Sequence, residues 1–296
     1  MMQDKTVLIT GASTGTGLAM ASALAGMGAS VLMVSRDPER ARRARDEVVK
    51  AATGKPPTTL LADLSSQADV RRLAGLVESS TGRLDVLINN AGAAFRHRQL
   101  SVDGIERTLA TNHLGSFLLT NLLLGLLRAA RASRIVNVTA RMHTNGIDFD
   151  NLQLEHRYGA LRAYALSKAC NILFTYELAR RLSGSSIQSN CFCPGPTETN
   201  FARTAGGSIR VLESVARLIG VLRPVEEGAR TGVYLASSPE VANVTGRYFR
   251  NGKPARSKPG TYDESTAARL WEVSDGLCRL GNERNRTFVS IAPMAS

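Results

Sequence analysis

The chain has 296 residues, 43% of them hydrophobic and 21% charged, with a formal net charge of +12. This balance excludes a wholly disordered chain, and four cysteines in such a length exclude a disulfide-held scaffold. An uninterrupted apolar run of about 18 residues, the length of a spanning helix, is absent: the richest stretch, residues 117–127, is broken by Thr120, Asn121 and Gly125.

Residues 5–10 read as a buried strand, and residues 15–27, small and apolar at helical spacing, as a helix. Between them runs Thr10-Gly11-Ala12-Ser13-Thr14-Gly15-Thr16-Gly17. Its glycines let the backbone turn tightly and approach a pyrophosphate. The next helix offers unpaired N–H groups and the positive end of its dipole to the phosphates. Residues 31–34 form a second strand that ends in Val34-Ser35-Arg36-Asp37. A site for NAD usually places an acidic residue here for the ribose 2′-hydroxyl, whereas the hydroxyl of Ser35 and the guanidinium of Arg36 suit a 2′-phosphate. NADPH / NADP+ is therefore the expected cofactor. Arg40 is a weaker candidate for the same phosphate, and a solvated surface charge is the alternative for Arg36. Asp37 caps, and Pro38 opens, an arginine-studded amphipathic helix over 38–52.

Further strands are expected at 58–61, 86–88, 134–139 and 187–192, and helices at 67–80, 102–130 with a break, and 160–182. Short apolar strands alternating with helices predict an α/β fold: a Rossmann-like, doubly wound parallel sheet of about seven strands with helices on both faces, in a single domain. Ligands then bind at the carboxyl ends of the strands. The expected division is a dinucleotide-binding and catalytic domain over 1–250, with a mobile lid at about 200–222. A C-terminal part over 251–296, a loop (251–260) and an amphipathic helix (265–280), packs on the same domain through Leu270, Trp271 and Val273.

Asn89-Asn90-Ala91-Gly92 follows the fourth strand, and Asn112 lies in the long helical region. Tyr164 and Lys168 stand four apart on one helix face. A nearby ammonium lowers a phenol's pKa and makes it a usable proton donor or acceptor, and Lys168 can also hydrogen-bond the nicotinamide ribose. Such a pair alone is usually two surface residues; downstream of a dinucleotide loop the functional reading is preferred.

On these motifs, with Thr111-Asn112-His113-Leu114-Gly115, Pro194-Gly195-Pro196-Thr197-Glu198-Thr199 and Glu226-Glu227-Gly228-Ala229, the chain resembles the short-chain dehydrogenases/reductases. Within them it is similar to the branch of retinol dehydrogenases, WW-domain oxidoreductase and protochlorophyllide reductase. The resemblance implies Tyr164 as proton donor, supported by Lys168 and Asn112 through a water relay. It implies that Gly11, Ser13, Thr14, Gly15, Thr16 and Gly17 bind the cofactor phosphates. It also implies that Asp63 and Leu64 flank the adenine, that Asn90, Ala91 and Gly92 line the cofactor, and that Pro194, Gly195, Thr197 and Thr199 hold the carboxamide side of the nicotinamide.

The resemblance fails at one position. The fifth strand of the family ends in two hydroxyl residues, the second a serine that hydrogen-bonds the substrate oxygen; here the pair reads Thr139-Ala140. Thr139 is expected to point away from substrate, because adjacent strand residues face opposite sides. His143 is a candidate replacement donor, so Ala140 and His143 are the substrate-side candidates. Losing one such donor costs on the order of 3–4 kcal/mol, about 10²–10³ in rate. Three explanations stay open: a substrate that brings its own hydroxyl ortho or peri to the ketone, a non-redox reaction, or a serine-to-alanine variant that traps substrate. The expected function is NADPH-dependent reduction of a bulky apolar ketone or aldehyde, from the apolar lid residues Ile209, Val211, Leu212, Val215, Leu218 and Ile219. The alternative is a cyclase, dehydratase or epimerase that keeps NADP(H) as structure, and a third is a non-catalytic NADPH-binding protein.

The remaining expectations concern partners. No recognition signature points to nucleic acid, and basic residues are spread along the chain. An acidic carrier protein and a homo-oligomer stay open. His97, His113, His143 and His156 lack metal-ligand spacing, and Cys191 and Cys193 share a strand face without a CxxC, so no metal is expected. With no signal-peptide pattern in the first residues, a cytoplasmic location is expected.

Overall fold

The computed structural model describes residues 2–195 and 223–280. The expected lid at about 200–222, its apolar residues, Thr197 and Thr199 therefore lie outside the described residues, as do residues 281–296. Apolar runs build the central strands β1 (Thr6–Thr10), β2 (Ser30–Ser35) and β4 (Val86–Asn89); β5 (Ser133–Val138) and β6 (Ile187–Cys193) carry polar residues as well and are buried except at Arg134 and Gln188, and the short β3 (Thr58–Leu61) lies outside. Successive residues feed opposite cores, as strand geometry requires: Leu8 packs on one face, Val7 and Ile9 on the other. Helices α1 (Gly15–Gly26), α2 (Pro38–Ala51) and α7 (Val225–Ser237) cover one face. Helices α3 (Gln67–Ser80), α4 (Gly115–Leu122), α5 (Leu124–Ala129), α6 (Ala160–Arg181) and α8 (Glu264–Cys278) cover the other.

The sheet runs β3-β2-β1-β4-β5-β6-β7-β8, where β7 is Tyr248–Arg250 and β8 is Lys253–Ala255, and its first seven strands are parallel. The order reverses between β1 and β4, which opens a crevice at their carboxyl ends. Thr10 and Gly11 stand beside Asn90 there: Asn90 Nδ2 donates to the carbonyls of Thr10 (2.9 Å) and Gly11 (3.1 Å).

Two expectations need correction. The expected sheet of about seven parallel strands carries an eighth, antiparallel one: β7 and β8 form a hairpin where the sequence predicts a loop over 251–260. Three-residue strands rich in Arg, Lys and Pro carry no hydrophobic period. The overlooked signal was Asn251-Gly252, whose φ values of 50° and 72° match the mirror-image turn that joins hairpin strands. The helical stretch 102–130 is divided further than one break: a short turn (Arg107–Leu109) leads into a π turn (Ala110–Leu114), then α4 and α5. Helix α7 forms although Gly228 and Gly232 depress helix propensity. Gly232 is there for packing: a Cβ would overlap Met20 Sδ and come within 2.8 Å of the Phe192 ring.

Helix α8 buries Leu270 and Trp271 in the core on its face of the sheet. Trp271 sits edge-on to Phe117 with centroids 5.0 Å apart, and the Arg181 guanidinium lies 4.4 Å from its ring.

Candidate active site

The glycine loop after β1 is shaped for close approach. Gly11 and Gly15 adopt φ of +65° and +56°, a region that favours glycine. A Cβ on Gly11 would meet Ala91 Cα at 2.9 Å, and one on Gly17 would overlap the Gly11 carbonyl and Asn90 Nδ2. Helix α1 starts at extended Thr14; among the described residues no side chain caps it, whereas Asp37, Ser66 and Asp263 cap α2, α3 and α8. Thr16 Oγ1 is buried without a partner among the described residues. Open N–H donors, a spare hydroxyl and a cradle that a Cβ would fill fit a dinucleotide pyrophosphate. Ser13, Thr14 and Gly15 are half-buried on its rim.

At the end of β2, Ser35 is buried and occupied: its hydroxyl donates to the Asp37 carbonyl (3.3 Å) and accepts from the Asp37 N–H (3.4 Å). The Arg36 side chain is 58% exposed and reaches Asp63 only loosely, at 3.9 Å. Asp37 caps α2 through the Arg40 N–H (3.0 Å), and Arg40 Nε lies 3.4 Å from the same carboxylate. Asp63 accepts from the Ser65 N–H and hydroxyl at 2.9 and 2.8 Å. Leu64 is buried in the core with α3 and α4, so its backbone rather than its side chain is what an adenine could meet.

At the ends of β4, β5 and β6 the structure brings Gly92, Asn112, Tyr164 and Lys168 together. A Cβ on Gly92 would stand 3.5 Å from Lys168 Nζ and 3.6 Å from Asn112 Oδ1. Asn112 Oδ1 accepts from the Ala93 N–H (2.7 Å), and its Nδ2 donates to the Ala93 carbonyl and to Ser167 Oγ, both at 2.9 Å. Lys168 is buried, donates to the Val138 carbonyl at 2.8 Å and lies 5.5 Å from the centroid of the Tyr164 ring. Burial pushes the Lys168 ammonium down to about 8. Tyr164 is half-buried as a residue, yet burial of its phenol, followed by the nearby Cys193, raises it above its ordinary value. The lowering expected from Lys168 is thus outweighed among the protein's own groups.

The substrate-side expectations change. Thr139 is buried and its hydroxyl donates to the Phe192 carbonyl at 3.0 Å, so it is turned to the β6 backbone. Ala140 is half-buried and brings only a methyl group. His143 does not supply the missing donor. Its Nδ1 lies 2.9 Å from the Ala140 carbonyl, which only accepts, and its Nε2 faces the Lys258 N–H at 3.0 Å, which only donates. The ring is therefore a neutral Nδ1–H tautomer with both nitrogens spent on backbone, and burial lowers its pKa. Its role is to tie the loop after β5 to the segment after β8.

Cys193, one of the two strand cysteines, is buried at the end of β6 with its sulfur 3.4 Å from the Gly195 N–H, and its place beside Tyr164 and Lys168 is what sequence reading does not show. Its position directly before Pro194-Gly195 was the available signal; those two residues are half-buried beside it. A groove of about 820 Å³ between α1 and α7, lined by Leu18, Ala23, Met27 and Val233, includes neither Tyr164 nor Lys168. Among the described residues no helix is long and apolar enough to cross a membrane.

The short chain dehydrogenase family matches residues 5–208. The chain is 43% identical to human retinol dehydrogenase 14, over 95% of this chain and 88% of that one. It is 38% identical, over 92% of each, to a Streptomyces sp. (strain C5) protein provisionally named daunorubicin C-13 ketoreductase DnrU. Among solved structures, the Pseudomonas aeruginosa RhlG/NADP active-site complex superposes with a TM-score of 0.67 at 28% identity, over 84% of this chain and 96% of that one.

Proposed function

The chain belongs to the short-chain dehydrogenase family, and we propose that within it the protein is an NADPH-dependent oxidoreductase that reduces a bulky apolar ketone or aldehyde. The observation that carries this reading is the buried Lys168, held by the Val138 carbonyl beside the Tyr164 ring and the bare α-carbon of Gly92. The glycine loop and the open end of α1 would hold the pyrophosphate, and exposed Arg36 the 2′-phosphate. A similar structure holding NADP supports that choice. When bound, the reduced nicotinamide supplies a hydride equivalent to the carbonyl carbon.

The protein's own groups manage the proton. A phenol raised above its ordinary value is protonated at neutral pH, which suits Tyr164 to donate to the oxygen that becomes the alcohol. Lys168 keeps a positive charge next to the phenolate that donation leaves, and Asn112 fixes the neighbouring backbone at Ala93. Relatives named for retinol and for a ketone support carbonyl–alcohol interconversion on an apolar molecule. At Ala140 the pocket wall has no hydroxyl, and Thr139 and His143 are engaged elsewhere, which favours a substrate whose own hydroxyl, ortho or peri to the ketone, polarises the carbonyl.

The test is NADPH consumption against a panel of aromatic ketones with product analysis. Alcohol formed one-for-one with cofactor oxidised is expected. A product of unchanged oxidation level, with the cofactor still reduced, would overturn the reading.

A further inference from the structure

Helix α8 lies beyond the family-matched residues, yet a chain of hydrogen bonds leads from it to the candidate active site. Ser274 Oγ is 2.8 Å from His113 Nε2, and His113 Nδ1 is 3.3 Å from Asn171 Oδ1. Asn171 Nδ2 donates to the Asn112 carbonyl at 3.0 Å. Ser274, His113, Asn171 and Asn112 are all buried.

The direction of this chain follows from the chemistry of each group. A carbonyl only accepts, so the amide nitrogen of Asn171 faces Asn112 and its oxygen faces His113. That oxygen requires a proton on His113 Nδ1. Nε2 is then an acceptor, and the Ser274 hydroxyl must donate to it. Burial keeps the ring neutral, with its pKa pushed down to about 4.

The chain ends where position matters. Asn112 sits in the π turn Ala110–Leu114, in which the Gly115 N–H bonds back to the Ala110 carbonyl. Its side chain at the same time holds both backbone groups of Ala93 and the hydroxyl of Ser167, the residue before Lys168. A shift of Asn112 is therefore transmitted to the Gly92 side of the site and to the start of the Lys168 turn.

We propose that Ser274, His113 and Asn171 are positioning residues: a one-way hydrogen-bond chain by which the C-terminal helix holds Asn112, and through it Lys168, in register for proton delivery by Tyr164. The inference rests on the reading of Tyr164 and Lys168 as the proton-delivering pair.

The test compares Ser274→Ala with Ser274→Thr in the full chain. Removing the hydroxyl leaves Nε2 in a dry core without a donor, so the Nδ1–H tautomer is no longer enforced. Ser274→Ala is expected to lower kcat about tenfold while KM and the NADPH Kd stay within about twofold, and Ser274→Thr to restore kcat. Unchanged kcat, or a parallel loss of kcat, substrate affinity and cofactor affinity, would overturn the proposal. A second measurement does not depend on activity or on the variant folding. In ¹⁵N-histidine spectra of the wild-type chain, His113 should show protonated Nδ1 and no titration over about pH 5.5 to 8. An Nε2–H tautomer would refute the chain. Tyr164→Phe separates the two claims: if it remains active, the proton-delivery reading fails while the His113 spectrum still reports on the chain.

Discussion

Adding a hydroxyl at Ala140 tests the proposed substrate side of the site. Ala140 lies half-buried two residues beyond β5, the Thr139 hydroxyl is bound to the Phe192 carbonyl, and both His143 nitrogens are bound to backbone. Ala140→Ser would add a donor that neither neighbour now supplies. A fully preorganised donor to a developing oxyanion is worth on the order of 3–4 kcal/mol in a dry site. Water reaching a half-buried position reduces this to about 2 kcal/mol, roughly thirtyfold in rate. The assay is kcat/KM for two matched aryl ketones, one plain and one with an ortho hydroxyl. The plain ketone should gain about thirtyfold and the hydroxyketone less than about threefold, since the latter already carries its donor. No gain for the plain ketone with NADPH binding intact, or equal gains for both, would show that position 140 does not lack a donor to the substrate oxygen.

Arg36→Ala should weaken NADPH about tenfold and NADH little, a value set below that of a buried charged hydrogen bond because the side chain is 58% exposed; fluorescence titration showing equal losses would remove Arg36 from the 2′-phosphate. The lowered Lys168 predicts that kcat/KM for reduction falls as pH rises through about 8, when the ammonium is lost; a profile flat to about pH 10 would contradict it. His113, held near 4 in the fold, binds its proton more weakly than the unfolded chain, where histidine titrates near 6.5. Stability should therefore fall as pH drops from about 6.5 toward about 4, by up to about 3 kcal/mol, and urea midpoints should fall less steeply with pH for His113→Gln than for the wild type.

Much of this architecture was legible because its causes are local. The apolar runs of β1 and β4 announce strands buried on both sides, and Asp37-Pro38 marks a helix start whose side chain satisfies its own first turn. What stayed hidden depends on partners distant in sequence. Nothing near His143 tells that Lys258 will occupy its second nitrogen, and nothing near Tyr164 tells that burial will outweigh an ammonium four residues on. The π turn at Asn112 is stabilised by Asn171 and by the packing of α8, neither of which is adjacent in the chain. The β7–β8 hairpin was legible in principle from Asn251-Gly252, whose turn preference survives even where the flanking strands are too short to show a period.

The most direct measurement is single-turnover NADPH oxidation by Tyr164→Phe with a ketone that the wild-type chain reduces. A loss of at least about 10³ in rate with NADPH affinity unchanged is expected. A rate within about threefold of the wild type would contradict proton delivery by Tyr164.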